Sequence, residues 1–372
     1  ATGGNALVSR KMGAGEEREA REAFTLLVLS AVVVGFAILV CGTLRIRQII
    51  YALGASDRLF PYCRDYLGVL LLFVPANVIQ TVFANLFVTA GRPGLGFGLS
   101  LLAGLVNIVL DYGFIAGCGL GIRGAALGTG CGYLVPTVPG IWFFFQNKGP
   151  LAFTRPRWNW KVLKESCLNG SSGMVGQLAS AVTTFLFNRT MMKLAGEDGV
   201  AAITILIYAQ FLLNTLYIGF SMGGAPVIGF QYGRGDLVRQ RKVIRICLGF
   251  ITGVSLAVFT ASLAGGPWVV ALFAPVSSQV YQMAVKGFSL FSFGFLFCGL
   301  NLFTSSMYTA LSNGRRSAVL SFLRTFVLLA GAILWLPRIW GLTGVWLAVP
   351  VAEGIMFGVS VLCLGKERSA QP

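Results

Sequence analysis

The chain has 372 residues, 56% of them hydrophobic and only 11% charged, with a mean hydropathy of +0.77 and no histidine. That composition lies outside the range of soluble globular proteins, and it leaves no histidine-based catalytic or metal chemistry. The formal net charge of +16 does not describe a nucleic-acid surface, because the basic residues are scattered over the connections between apolar runs.

In chain order, the opening stretch ATGGNALVSRKMGAG reads as the end of a span followed by a polar loop, which predicts further sequence upstream. Apolar runs long enough to cross a bilayer, about 20 residues each, follow near 23–43, 66–90, 96–117, 124–145, 168–194, 200–230, 244–264, 285–311, 317–337 and 343–365. Such runs can only be helices in hydrocarbon, where the backbone has no water to bond. The alternating segments of about ten residues that a barrel needs are absent. An all-α, polytopic membrane protein is the fold class predicted.

Basic residues favour alternate connections. One set runs from Arg10, Lys11, Arg18 and Arg21 through Arg92, the linker QNKGPLAFTRPRWNWK (146–161), Arg234 to Arg245, Arg315 and Arg316 to Lys366 and Arg368. The other holds Arg45, Arg47, Arg58, Arg64, Arg123, Lys193, Lys286 and Arg338 and is less than half as rich. The positive-inside rule therefore predicts that the first set, with the linker and the C-terminus, is cytoplasmic. The eight cysteines have no paired CxxC spacing and read as small apolar residues.

An internal repeat organises the spans. GGNALVSRKMGAGE from Gly3 resembles GGAPVIGFQYGRGD from Gly223 at an offset of 220; Gly91-Arg92 pairs with Gly314-Arg315 at 223, and GIRGAA from Gly121 with GLTGVW from Gly341 at 220. Landmarks in order at one offset predict a duplicated helical bundle. The second copy starts about 60 residues before Gly223, so the first is expected to start about 60 residues before Gly3. The expected organisation is an N-lobe at 1–146, a linker at 147–161 and a C-lobe at 162–372, with ten or eleven of twelve helices present.

Of the 13 carboxylates only Asp111 and Glu353 lie well inside spans. A charge there costs about 3 kcal/mol or more, which makes both functional candidates. Asn107 and Asp111 share one helix face, and the next span carries Thr129. The alternative for Asp111 is a structural ion pair or packing hydrogen bond. Asn77, Thr81, Asn85 and Thr89 recur every four residues with Gln80 beside them, a stripe suited either to packing or to lining a cavity, with Asn85 expected nearest the ion site. In the second half Gln177, Thr184 and Asn188 share a face, and Asn214 and Asn301 add amides. Glu353 either meets a cationic substrate or pairs with Arg324. Gly124, Gly128 and Gly132 allow close helix packing, while Pro75 and Pro226 mark bends.

The GG…GxGE loop, NIVLDYGFI followed by GLGIRGAALGT, and GFSMGGAPVIGFQYGRGD resemble the multidrug and toxic compound extrusion (MATE) transporters over essentially the whole chain. The resemblance implies two six-helix lobes around a V-shaped cleft and export of a cationic or amphipathic small molecule in exchange for protons or sodium ions. It implies no cofactor beyond that coupling ion, H+ or Na+, no nucleic-acid partner, and a monomer in a bacterial inner membrane. In the family's DinF-like branch the N-lobe cation site has an Asn and an Asp one turn apart, a Thr on the next helix and an Asp on the first. Asn107, Asp111 and Thr129 match three of these, making them the expected Na+ or H+ site, and the fourth falls upstream. The NorM-like branch places acids on its seventh and tenth helices, where 168–194 and 285–311 have none. The resemblance further suggests Asn77, Thr81, Gln177, Thr184, Asn188, Asn301 and Glu353 as cleft residues.

Two other functions compete. A lipid-linked saccharide flippase of the same superfamily is disfavoured by the few Lys and Arg within spans. An integral-membrane enzyme needs a nucleophile and base or a metal cluster, for which this sequence offers little, and no P-loop suggests direct ATP driving.

Overall fold

A computed structural model describes residues 1–52, 57, 59–146, 149 and 151–369, without the side chains of 366–369. Arg58, Lys148, linker positions 147 and 150, the side chains of Lys366 and Arg368, and the last three residues lie outside the described residues. Helices form two compact units, Ala1–Ser166 and Cys167–Pro372, and no strand occurs among the described residues.

The first unit holds α1 (Thr2–Gly13), α2 (Glu17–Leu44), the short α3 (Ile46–Ala52), α4 (Phe60–Thr89), α5 (Pro93–Tyr112) and α6 (Gly121–Gln146). A π-helical turn at Gly113–Gly117 extends α5. α7 (Trp160–Arg234) begins in the first unit and continues into the second, which follows with α8 (Leu237–Ala271), α9 (Gln279–Phe291), α10 (Gly294–Ala310), α11 (Gly314–Phe322), a π-helical stretch at Leu323–Leu329, and α12 (Ala330–Ser369).

Six of these helical runs are long and apolar enough to cross a membrane, seven if the bent pair α9 and α10 is one span. Two of them are double. At 1.5 Å per residue the 75 residues of α7 would extend about 110 Å, against about 30 Å of hydrocarbon. The run turns at Gly196, whose φ of 62° and ψ of −150° only glycine accepts without strain. Gly341 (φ 54°, ψ −130°) divides α12 in the same way. The expected single span at 285–311 is instead broken, α9 and α10 meeting at 54°. At the break Gly294 lies close against α12, where a Cβ would stand 2.8 Å from Val349.

The outside of the bundles is oily. α5 buries only Gly96 and exposes Phe97, Leu101, Leu105, Ile108 and Val109, a contiguous apolar face that water would penalise and lipid accepts. The core of the first unit is aromatic: Phe144 lies 4.8 Å from Phe24, 5.2 Å from Phe83 and 5.4 Å from Phe87, centroid to centroid. Part of the expected linker joins that core. Leu151 is fully buried, the Phe153 amide donates to the Phe144 carbonyl at 3.2 Å, and the Thr154 amide donates to Thr25 Oγ1 at 3.1 Å. The basic residues around Leu151 and Phe153 make the segment read as a solvated connection, whereas its two apolar side chains tie it down.

Turn geometry exposes the repeat. Gly15 (φ 79°) donates to Met12 O and Glu16 to Lys11 O; Gly235 (φ 72°) donates to Tyr232 O and Asp236 to Gln231 O, at the expected offset of 220. Gly121 and Gly341 match likewise, with φ of 53° and 54°. The third landmark needs correction. Gly91 (φ 72°) donates to Val88 O and Arg92 to Phe87 O, and the same pattern is made by Ser312 (φ 57°) to Thr309 O and Asn313 to Tyr308 O. Gly91 therefore corresponds to Ser312 at an offset of 221, not to Gly314. Gly314 is kept small for another reason, since a Cβ there would overlap the backbone of Leu168 and Asn169.

Candidate ion site and a buried ion pair

In the first unit the site is built where α5 lies against α6. Asn107 and Asp111 stand one turn apart on α5, and Asn107 Nδ2 donates to Thr129 Oγ1 on α6 at 3.4 Å. The close approach comes from the glycine ridge of α6. A Cβ at Gly128 would land on Asp111 Oδ1, one at Gly132 would be 3.4 Å from Asn107 Cβ, and one at Gly124 would be 2.9 Å from the Phe114 backbone. Asp111 Oδ1 is buried and accepts no hydrogen bond. A buried acceptor left in that condition costs about 1–3 kcal/mol, more if charged. The π-helical turn begins two residues later, at Gly113.

Other expected members are placed elsewhere. Asn85 is buried, but its amide donates to the Thr81 carbonyl of its own helix at 3.0 Å, and no hydrogen bond among the described residues joins it to Asp111 or Asn107. Along the same stripe Gln80 Nε2 donates to Asn77 Oδ1 at 3.0 Å and Thr81 Oγ1 to the Asn77 carbonyl at 2.9 Å. The stripe reaches another helix at Thr89, which bonds Asn5 Oδ1 and lies 3.0 Å from Ser9 Oγ. Asn5 and Ser9 were invisible as partners in the sequence, although both belong to the first repeat landmark. Thr137, also missed, donates from α6 to the Ala76 carbonyl of α4 at 2.9 Å.

The second unit treats its deep acid differently. Arg324, on the π-helical stretch, donates through Nε to Glu353 Oε1 at 2.8 Å and through a terminal nitrogen to the same oxygen at 2.6 Å. Asn301 Nδ2 donates to Glu353 Oε2 at 2.8 Å and to its carbonyl at 3.0 Å, and Ser360 Oγ donates to Asn301 Oδ1 at 2.8 Å. Arg324 also donates to Cys298 Sγ at 3.1 Å, and that thiol donates to Asn214 Oδ1 at 3.1 Å. Of the two readings open for Glu353, the geometry takes the pairing with Arg324. Glu353 and Asn301, expected to line a cleft, are buried and bonded to each other instead. Cys298, expected with the other cysteines to be a small apolar residue, is instead hydrogen-bonded on both sides, one turn from Asn301, and Ser360, which carried no expectation, lies two turns from Glu353.

Of the expected polar face on α7, Gln177 is exposed and Thr184 Oγ1 donates to the Ser180 carbonyl at 2.8 Å within its own helix. Asn188 is half-buried and keeps Oδ1 without a partner. No hydrogen bond among the described residues links these three.

The MatE family model matches residues 1–113 and 174–333. The chain is 22% identical over 363 residues to the multidrug export protein MepA of Staphylococcus saprophyticus, covering 95% of this chain and 78% of that protein. It is 23% identical over 361 residues to MepA of Staphylococcus haemolyticus, with the same coverage. Among solved structures, an outward-facing multidrug resistance MATE family transporter of the MOP superfamily superposes with a TM-score of 0.94 at 21% identity, over 99% of this chain and 83% of that one. A MOP superfamily transporter from Pyrococcus furiosus gives a TM-score of 0.92 at 22% identity, over 99% and 82%. The two-lobe helical fold is thus that of these transporters, whose family is one of carriers and not of enzymes. With the family model covering most of its length, the chain belongs to the MATE family of multi-pass membrane transporters.

Proposed function

We propose that the protein exports drug-like, cationic or amphipathic small molecules in exchange for H+ or Na+, with Asp111, Asn107 and Thr129 holding the coupling ion as in the DinF-like branch. The observation that carries this reading is Asp111 Oδ1, buried beside the α6 backbone without a hydrogen-bond donor. A proton or cation there offsets the cost of the orphaned oxygen, with Asn107 Oδ1 and Thr129 Oγ1 adding neutral oxygens of the kind a hard monovalent cation takes. Binding biases the lobe toward whichever conformation completes that shell, which is how an ion gradient shifts a two-state carrier. The relatives' names as multidrug export proteins support the substrate class. The same reading places the basic-rich connections and the C-terminus in the cytoplasm of a bacterial cell, the protein acting as a monomer.

The test is dye efflux from intact cells that express the protein. Asp111→Asn keeps the shape and removes the charge. Efflux at background is expected, while efflux at the wild-type rate overturns the coupling role.

A further inference from the structure

Away from the ion site, the first unit contains a cavity of about 510 Å³ between α1, the start of α2 and the segment before α7. Its rim carries Lys11, Arg18 and Arg157 against Glu19 and Glu22, with Trp158 beside them. The charges are unevenly spread. Lys11 is bonded to Glu16 at 3.1 Å and to Glu19. Arg18 and Arg157 share one carboxylate, that of Glu22, each through Nε, at 3.3 and 3.8 Å. The six groups are three basic and three acidic, but two carboxylates gather at Lys11 and two guanidiniums at Glu22, so positive charge is concentrated at Arg18 and Arg157, whose terminal nitrogens are available to a further planar or tetrahedral anion.

The surroundings are those of a membrane surface. The inner end of the cavity reaches Ala23 and Leu26, where the apolar run of α2 begins. Trp158 packs edge-on to Trp160 at 5.2 Å, and both indoles are exposed, the placement that tryptophan favours at headgroup depth. The volume falls within the range of about 300–1,000 Å³ typical of small-molecule sites. A cationic rim, an indole and an apolar floor together fit a phosphate-bearing amphiphile better than a free ion.

We propose that this cavity binds the phosphate head group of an acidic phospholipid, at a site separate from the ion site of Asp111. Arg18 and Arg157 grip the phosphate, and Trp158 covers the glycerol.

The test titrates the detergent-solubilised protein with dihexanoyl phosphatidylglycerol or dihexanoyl phosphatidylcholine. The readout is Trp158 fluorescence, isolated by subtracting the Trp158→Phe signal from that of the seven tryptophans. Phosphatidylglycerol is expected to bind tighter, and Arg18→Gln and Arg157→Gln to weaken it about fivefold each. Arg157→Lys should retain part of the preference. Arg18 and Arg157 side chains are 80% and 68% exposed, so these variants keep the fold; if a Gln variant aggregates, the Lys variant carries the comparison. Equal affinity for the two lipids, or an unchanged preference in the variants, overturns the proposal. Inorganic phosphate or glycerol phosphate binding as tightly as the lipid also overturns it, by making the site one for soluble anions.

Discussion

The two lobes share a repeat and differ in how each treats an acid within its spans. In the first, Asp111 faces a backbone stripped of side chains, and one oxygen has no donor. In the second, Glu353 receives a bidentate guanidinium and an amide, and its network extends to a thiol and a serine. Neither acid's chemistry distinguishes them; their neighbours do. An acid that is finished by the protein holds helices together, whereas the unfinished one is where the proposed coupling ion would bind.

The difference can be broken most severely at Arg324. Arg324→Ala strands a buried carboxylate and should destabilise the protein by about 3–5 kcal/mol, read as a fall in midpoint on thermal or denaturant unfolding in detergent. Adding Glu353→Gln should recover much of that loss. Next in size, Gly128→Ala forces a methyl into the space of Asp111 Oδ1. It should cost about 1–3 kcal/mol through overpacking and abolish any rise in melting temperature that protons or Na+ produce. Asp111→Asn should move stability the other way, raising it by about 1 kcal/mol while transport is lost, since a buried amide is cheaper than a buried carboxyl group with an unpartnered oxygen. A loss of stability like that of Arg324→Ala would erase the distinction between the lobes. The smallest effect is expected at Ser312→Gly, which relieves a left-handed serine and should stabilise by about 0.5–1 kcal/mol in the same unfolding assay.

Much of the fold was legible because hydropathy reports burial in lipid directly. The breaks between segments at Gly196 and Gly341 coincide with dips in apolar runs, and Gly15 with Gly235 mark the repeat because left-handed turns select glycine. The exception is instructive: Ser312 takes the turn that Gly91 takes, so glycine matching pointed two residues too far. At the candidate site, helical spacing put Asn107 and Asp111 on one face, and the every-fourth-residue glycines announced a tight contact. Which helix each polar group would meet was not written in any period. Asn85 bonds its own turn, and Leu151 and Phe153 look like isolated apolar residues in a basic stretch. Arg324 lies in a π-helical stretch, where regular helical spacing no longer tells which way a side chain faces, so its meeting with Glu353 could be named only as one of two outcomes.

Cys298 gives the second lobe a built-in reporter. Its thiol sits between Asn214 and Arg324 in a residue only 1% exposed, whereas Cys41, Cys118 and Cys167 are exposed. With the other seven cysteines replaced by serine, the rate at which a small maleimide labels Cys298 becomes a clock for how often the guanidinium lets go of its partners, measurable in an intact membrane without any substrate.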